Sequence, residues 1–201
     1  MNKKKYQSYA ELSRMEVEDR DFRVRARQAD SPFAIIAPHG GRIERGTSRI
    51  ADAIAGDEHS FHTLEGLKPD GNNSLHISSH RFDEPRALDI AHSVKTVVTV
   101  HGAHGEDLFA YFGGLDLALR ALMIDALSNA GFSAMDDPSP TRQGRRADNI
   151  CNRGRSGAGV QIELTTGLRK HLFDQVSYDV WEPNVRFARF VGIVRGTLGK
   201  S

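Results

Sequence analysis

Apolar residues arrive along this chain in two rhythms. Over 33–37, 95–101 and 160–164 they form short, nearly unbroken runs, the pattern of strands buried on both faces. Elsewhere they recur at helical spacing. Ile50, Ala53 and Ile54 follow a glycine-rich loop over 39–46, and Leu115, Ala118, Leu119, Leu122, Ala126 and Leu127 form a longer stripe that stops near Gly131. Phe22, Val24 and Ala26 alternate with polar neighbours, as on an edge strand.

Local signals fill in the remainder. Ser8-Tyr9-Ala10-Glu11 fits a capping box that opens a short helix reaching about Glu18. Segments 59–64 and 74–78 read as paired strands around the turn Lys68-Pro69-Asp70-Gly71-Asn72-Asn73. Residues 84–94 predict a helix with Pro85 in its first turn, 108–112 a short strand, and 185–198 an amphipathic helix. The stretch 136–159 is rich in Arg, Gly and Pro and lacks periodicity, so it reads as a functional loop. Strands alternate with helices, and the most apolar strands are continuous. The expected fold is therefore α/β: a three-layer α/β/α sandwich with a mixed, mainly parallel sheet.

The chain has 201 residues, 39% of them hydrophobic, which fits one domain over 1–201. Lys plus Arg is 27 against 26 for Asp plus Glu, so no global charge bias points to nucleic acid or a membrane surface. The single cysteine, Cys151, excludes an intramolecular disulfide and a thiolate metal cluster. The basic start Met1-Asn2-Lys3-Lys4-Lys5 is followed by polar Tyr6-Gln7-Ser8-Tyr9 rather than the apolar run of a signal peptide. No segment reaches the length of a membrane span. Cytoplasmic synthesis of a soluble monomer is the expectation.

Two of the buried strands end alike. Residues 33–37 lead into Pro38-His39-Gly40-Gly41, and 95–100 lead into His101-Gly102. Histidines at the C-terminal tips of strands in one open α/β sheet meet where ligands and catalytic groups collect. Glu44 is the nearest carboxylate in the glycine-rich loop. Two imidazoles and a carboxylate with a position left for water are a catalytic zinc set, which makes His39, Glu44 and His101 the candidate ligands. His39 could instead be a satisfied loop histidine, and Glu44 a helix-entry carboxylate favoured by the dipole of the next helix. His104 competes with His101, but a strand tip is the more rigid support, leaving His104 for substrate or for orienting a ligand.

Glu163 is an acid inside the apolar run Val160-Gln161-Ile162-Glu163-Leu164. A fixed carboxylate beside an activated water acts as general base and then passes the proton to the leaving nitrogen; an ion-paired or edge-exposed acid is the alternative. Asn152-Arg153 sets an amide beside a planar guanidinium, suited to bidentate recognition of a carboxylate. Arg142, Arg145, Arg146 and Arg155 lie close by, so a solvated basic loop explains the same residues. His80 follows one of the expected strands and is a further site candidate.

Together these pieces resemble zinc carboxypeptidases. The 95–101 strand is similar to the one carrying that family's third zinc ligand, and Gln161-Ile162-Glu163-Leu164-Thr165-Thr166-Gly167 to the one carrying its catalytic glutamate. The Asn152-Arg153 pair resembles its carboxylate grip, although it falls here after the third ligand. Four residues separate His39 from Glu44, more than that family usually places there. A resemblance covering most of the chain is to the small phage and Bacillus poly-γ-glutamate hydrolases. It rests on Ala37-Pro38-His39-Gly40-Gly41-Arg42-Ile43-Glu44-Arg45-Gly46-Thr47-Ser48, Ser78-Ser79-His80-Arg81-Phe82 and Val100-His101-Gly102. It implies a compact carboxypeptidase-like fold, one zinc ion, cleavage of the γ-linked capsule polymer, and release by host lysis. Arg42, Arg81 and Arg153, with His80, His104 and Asn152, then become candidates for holding the anionic poly-γ-glutamate. The rivals are a zinc amidase or carboxypeptidase acting on peptidoglycan or N-acyl amino acids, and a non-catalytic polyanion-binding module using the 142–155 loop.

Overall fold

The computed structural model describes residues 5–177 and 180–199. In chain order its first elements are α1 (Tyr9–Met15), β1 (Phe22–Arg27), β2 (Phe33–Gly41), α2 (Thr47–Ala55), β3 (Ser60–Gly66), α3 (Pro85–Ser93) and β4 (Thr96–Ala103). They are followed by β5 (Phe109–Gly114), α4 (Leu117–Asn129), β6 (Ser133–Asp136), β7 (Val160–Thr165), α5 (Thr166–His171), β8 (Phe173–Gln175), β9 (Trp181–Pro183) and α6 (Val185–Leu198).

Seven strands form one sheet in the order β1-β3-β2-β4-β7-β5-β6. The β3-β2-β4-β7 centre is parallel, β5 and β6 pair parallel with each other, and antiparallel ladders join β1 to β3 and β5 to β7. Alternate side chains of the central strands feed two cores. Ile35, Ala37, Val98, Val100, Ile162 and Leu164 pack with α2, α4 and α6 on one face. Ala34, Ile36, Val97 and Leu64 pack with α1 and α3 on the other. These are the helical layers of an α/β/α sandwich. The continuous apolar runs follow directly, because a strand covered on both faces needs apolar residues at every position.

The capping box at Ser8 and Pro85 in the first turn of its helix stand as the sequence predicts. Ser8 accepts from the Glu11 N–H, Glu84 caps α3 with Pro85 at its first position, and Gly56 closes α2. α1 ends at Met15, short of Glu18. The pairing of 59–64 with 74–78 is a misreading: β3 has both edges occupied, by β1 and β2, and 72–75 coil into a 3-10 turn instead. That segment crosses the face that carries α1 and α3, placing Leu75 and Ile77 in its core. β6, α5 and the β8–β9 hairpin are short elements without a periodic signal. They exist through tertiary contacts, as where Phe173 packs against Trp181 and Phe187.

Strand order also fixes where a site can form. From β2 the chain passes through α2 to β3 on one side, then through α3, on the opposite face, to β4 on β2's other side. The C-terminal ends of β2 and β4 therefore flank a topological switch point, where a crevice opens.

Candidate metal centre and active site

His39 and His101 stand at that switch point, and a bulge puts them on the same face. Against β3, the register of β2 slips by one residue between Ala37 and Gly40. Since side chains alternate with period two, the extra residue turns His39 away from the face of Ile35 and Ala37 and towards His101. His101 lies opposite Glu163 in the β4–β7 ladder, so Glu163 points to the same side. Gly40 is needed within the bulge, since a Cβ there would collide with Thr63 Oγ1 and Ser48 Cβ.

Beyond the bulge the chain turns back on itself. Gly41 adopts φ +61°, Glu44 N–H donates to His39 O at 2.9 Å, and Thr47 N–H and Oγ1 both donate to Glu44 O. The four-residue separation thus closes a turn that brings Glu44 to the histidines. His39 Nδ1 is 3.3 Å from Glu44 Oε1 and 3.3 Å from His101 Nδ1, and His101 Nδ1 is 3.9 Å from Glu44 Oε2. One ligand atom from each of the three residues lies within 4.8 Å of the other two. His39 Nε2 donates to the carbonyl of Ile77 at 2.6 Å. That bond places a proton on Nε2 and leaves Nδ1 as the lone-pair nitrogen facing the centre, the orientation a metal-binding imidazole requires. The donor set of two imidazoles and one carboxylate fits zinc.

Burial alone would raise the Glu44 carboxyl, but the surrounding imidazoles of His39, His76 and His101 override it and hold Glu44 well below the usual carboxylate range. Gly102 N–H donates to Glu44 Oε2 at 2.8 Å, fixing the carboxylate from the end of β4. Glu163 is the opposite case. Burial pushes it up to about 8, with the nearby negative charge of Glu44 adding to the effect and Arg142 opposing it. Gln161 Nε2 donates to Glu163 Oε1 at 3.0 Å and to Arg142 O at 2.6 Å, which ties the candidate base to the 137–159 loop.

Two neighbours are not evident from the sequence. His76, within the 74–78 segment, stacks on His39 with ring centroids 3.7 Å apart and sets Nε2 3.4 Å from Glu44 Oε1. Arg169 is buried beneath the centre. It donates to the carbonyls of Arg45, Ala103 and Leu164, so one side chain binds the β2–α2 turn to the ends of β4 and β7. Burial works against its charge, while Glu44 and Glu163 support it. A basic residue in a short helix reads as surface in sequence, and its only clue is its place six residues after Glu163.

The remaining candidates are dispersed. Asn152 is buried, and its amide is spent on backbone: Nδ2 donates to Gly144 O and Arg146 O, while Oδ1 accepts from Leu115 and Gly159 N–H. It organises the loop. Arg153 Nε donates to Asp148 O, and the half-buried His80 lies near Asp148 on the adjoining 3-10 turn. Arg81 donates to the Gln7 side chain, Arg42 to the carbonyls of Lys68 and Pro69, and His104 is exposed just beyond β4. Within the basic loop, Arg142 grips Asp137 bidentately and Arg146 grips Asp148, which weakens the reading of that loop as a free polyanion-binding surface. No helix among the described residues is long and apolar enough to cross a membrane.

Known proteins with this architecture point one way. The structure superimposes on a bacteriophage poly-gamma-glutamate hydrolase with TM-score 0.92 and 25% identity over 98% of both chains. A zinc-free apo form of YndL gives TM-score 0.91 and 37% identity, again over 98% of both chains. An N-formylglutamate amidohydrolase from Ralstonia eutropha JMP134, at TM-score 0.54 and 12% identity, shares the fold alone. In sequence, the chain is 40% identical over 172 residues to the UPF0714 protein YndL of Bacillus subtilis (strain 168), a match covering 84% of this chain and 66% of YndL. The UPF0714 protein YmaC of the same organism is 35% identical over 173 residues, covering 85% and 73%. The chain thus spans about two thirds of these relatives. The poly-gamma-glutamate hydrolase family model matches residues 6–193, and the chain belongs to that family.

Proposed function

We propose that this protein is a zinc-dependent hydrolase of γ-glutamyl amide bonds, and that it depolymerises the poly-γ-glutamate of Bacillus capsules. The observation that carries the reading is the convergence of His39, Glu44 and His101, with Glu163 beside His101 in strand register. Membership of the family and the likeness to a phage enzyme support the substrate class, and the zinc-free form of YndL supports the metal.

His39, Glu44 and His101 would hold the ion. When bound, zinc supplies positive charge that polarises an amide carbonyl and acidifies a water molecule. Glu163 takes the proton from the attacking water and returns it to the departing nitrogen. Its raised pKa suits a group that takes up a proton and gives it back, and a bound cation would oppose the rise. Arg169 adds a buried positive charge beneath the centre, while Arg42, Arg81 and Arg153 offer guanidinium groups to the free α-carboxylates of the polymer. The test is incubation of zinc-loaded protein with poly-γ-glutamate and with α-linked polyglutamate, followed by product sizing. Shortening of the γ-linked polymer alone is expected. An intact γ-linked polymer in the presence of zinc would overturn the reading.

A further inference from the structure

Gln161 lies two residues before Glu163 on β7, so its side chain leaves the sheet on the same side as the candidate base. It is a polar residue buried between the apolar Val160 and Ile162. Its carboxamide makes three bonds: Nε2 donates to Glu163 Oε1 at 3.0 Å and to Arg142 O at 2.6 Å, and Oε1 accepts from Asn149 Nδ2 at 3.0 Å. A carboxamide can be turned end for end without changing its shape, so its direction has to be set by its partners. Here two main-chain groups set it. The Arg142 carbonyl only accepts, so the donor end of Gln161 must face it. At the far end, Cys151 N–H only donates and takes Asn149 Oδ1 at 3.1 Å, which turns Asn149 Nδ2 towards Gln161 Oε1. The loop also lies close over the amide. A Cβ at Gly144, which adopts φ +59°, would lie 2.9 Å from Gln161 Oε1. On β5 the register partner of Gln161 is Gly113, where a Cβ would collide with Gln143 O.

We propose that Gln161 is a positioning residue for the hydrolysis: by holding Glu163 Oε1 it aims the other oxygen, Oε2, at the proton of the attacking water. The inference rests on the hydrolase reading of the adjacent centre. A glutamate side chain turns about three bonds, and a base that swings away from its proton forfeits the rate gained from proximity. Gln161 removes that freedom with one N–H and spends the other on the 137–159 loop. Asp137 braces the loop in turn by taking the Arg142 guanidinium through two bonds, so the carbonyl that anchors Gln161 belongs to a held residue. The long aperiodic loop thereby acquires a task in the chemistry without touching substrate: Asn149 and Arg142 orient Gln161, and Gln161 orients the base. A glutamine that only filled a polar gap in the core would serve stability alone, and kinetics separate the two roles.

The experiment measures cleavage of poly-γ-glutamate by full-length, zinc-loaded protein carrying Gln161→Met, which keeps the length of the side chain and removes its donors. The substitution is made both in the wild type and in Glu163→Gln. In the wild-type background kcat should fall by about 10- to 100-fold while KM changes by less than about twofold and the zinc content stays the same. Because Gln161 acts through Glu163, the same substitution should alter the residual rate of Glu163→Gln by less than about twofold, as for residues that work as a unit. Asn149→Asp is a second variant that spares Gln161 itself. It keeps an acceptor for the Cys151 N–H and loses the donor that fixes the Gln161 amide, so it should lower kcat in the same direction. Unchanged kcat in either folded variant, loss of zinc from Gln161→Met, or an equal loss of rate in the Glu163→Gln background would defeat the assignment and leave the hydrolase reading standing. Absence of cleavage by the zinc-loaded wild type would defeat that reading and this one with it.

Discussion

His39 Nε2 donates to the main-chain carbonyl of Ile77 at 2.6 Å, across the gap between β2 and the 74–78 segment. A carbonyl only accepts, so the bond dictates which imidazole nitrogen carries the proton. In the metal-free protein, long-range proton–nitrogen NMR correlations should show His39 as the Nε2–H tautomer. A predominant Nδ1–H tautomer would mean that the ring is not oriented for a metal.

Substitutions at the centre should separate metal binding from turnover. His39→Ala, Glu44→Ala and His101→Ala each remove one of three ligand atoms and should abolish stoichiometric zinc, read by elemental analysis. Glu163→Gln should retain zinc and lower turnover by about 10²-fold or more, the usual worth of a positioned general base. Retention of zinc by His101→Ala would contradict the assignment.

Glu163 also makes a claim about stability. Its carboxyl rises from an ordinary 4.5 unfolded to about 8 folded, so the native state binds the proton more tightly. That contribution is fully present below pH 4.5, declines as pH climbs through the window, and is gone above about 8. Glutamine does not titrate. Metal-free Glu163→Gln should therefore gain on the wild type between pH 5 and pH 8.5, by a few kcal/mol at order of magnitude. Urea unfolding at the two pH values measures it, and parallel stability curves would refute a raised carboxyl.

Gly102 has almost no room for a side chain. A Cβ would lie 2.8 Å from Arg169 Cζ and 3.0 Å from Glu44 Cβ. Gly102→Ala should destabilise the protein by about 1–3 kcal/mol, as overpacking does. Because it displaces Glu44, it should also weaken zinc binding by roughly 10- to 100-fold, the range for groups that orient ligands. Thermal unfolding and competition with a chelator read the two effects separately.

Asn152 should behave as an organiser of the loop. Asn152→Ala strands four backbone groups that its amide now satisfies. A loss of about 2–4 kcal/mol in chemical unfolding is expected. A variant that kept full stability and showed only a higher KM would instead place the amide on the substrate.

Much of this was written locally. The runs that form β2, β4 and β7 are legible because burial on both faces leaves little room for polar residues, and His39, His101 and Glu163 stand out as polar groups at or within such runs. The course of 74–78 was not legible, because whether an apolar segment pairs depends on whether a strand edge is vacant, and β1 and β2 had already taken both edges of β3. Arg169 and His76 escaped for a similar reason. Each is an ordinary surface type locally, and only the tertiary fold puts one beneath Glu44 and Glu163 and the other on the face of His39. The bulge in β2 is equally silent, yet without it His39 would face the wrong core.

The bond from Gly102 N–H to Glu44 Oε2 has one more consequence, for which ions the centre can accept. Gly102 N–H holds Oε2 while Oε1 faces His39 and His76, so the Glu44 carboxylate is oriented from both ends. Among the described residues, the Glu44 carboxylate and one nitrogen from each of His39 and His101 make up the candidate donor set. Calcium, which collects six to eight oxygens and favours carboxylates that bind through both, finds too few partners here. A small ion content with four neighbours is well served. A donor set of two imidazoles and one carboxylate thus favours a small four-coordinate ion over calcium, and a glycine that touches no ion helps to aim its carboxylate.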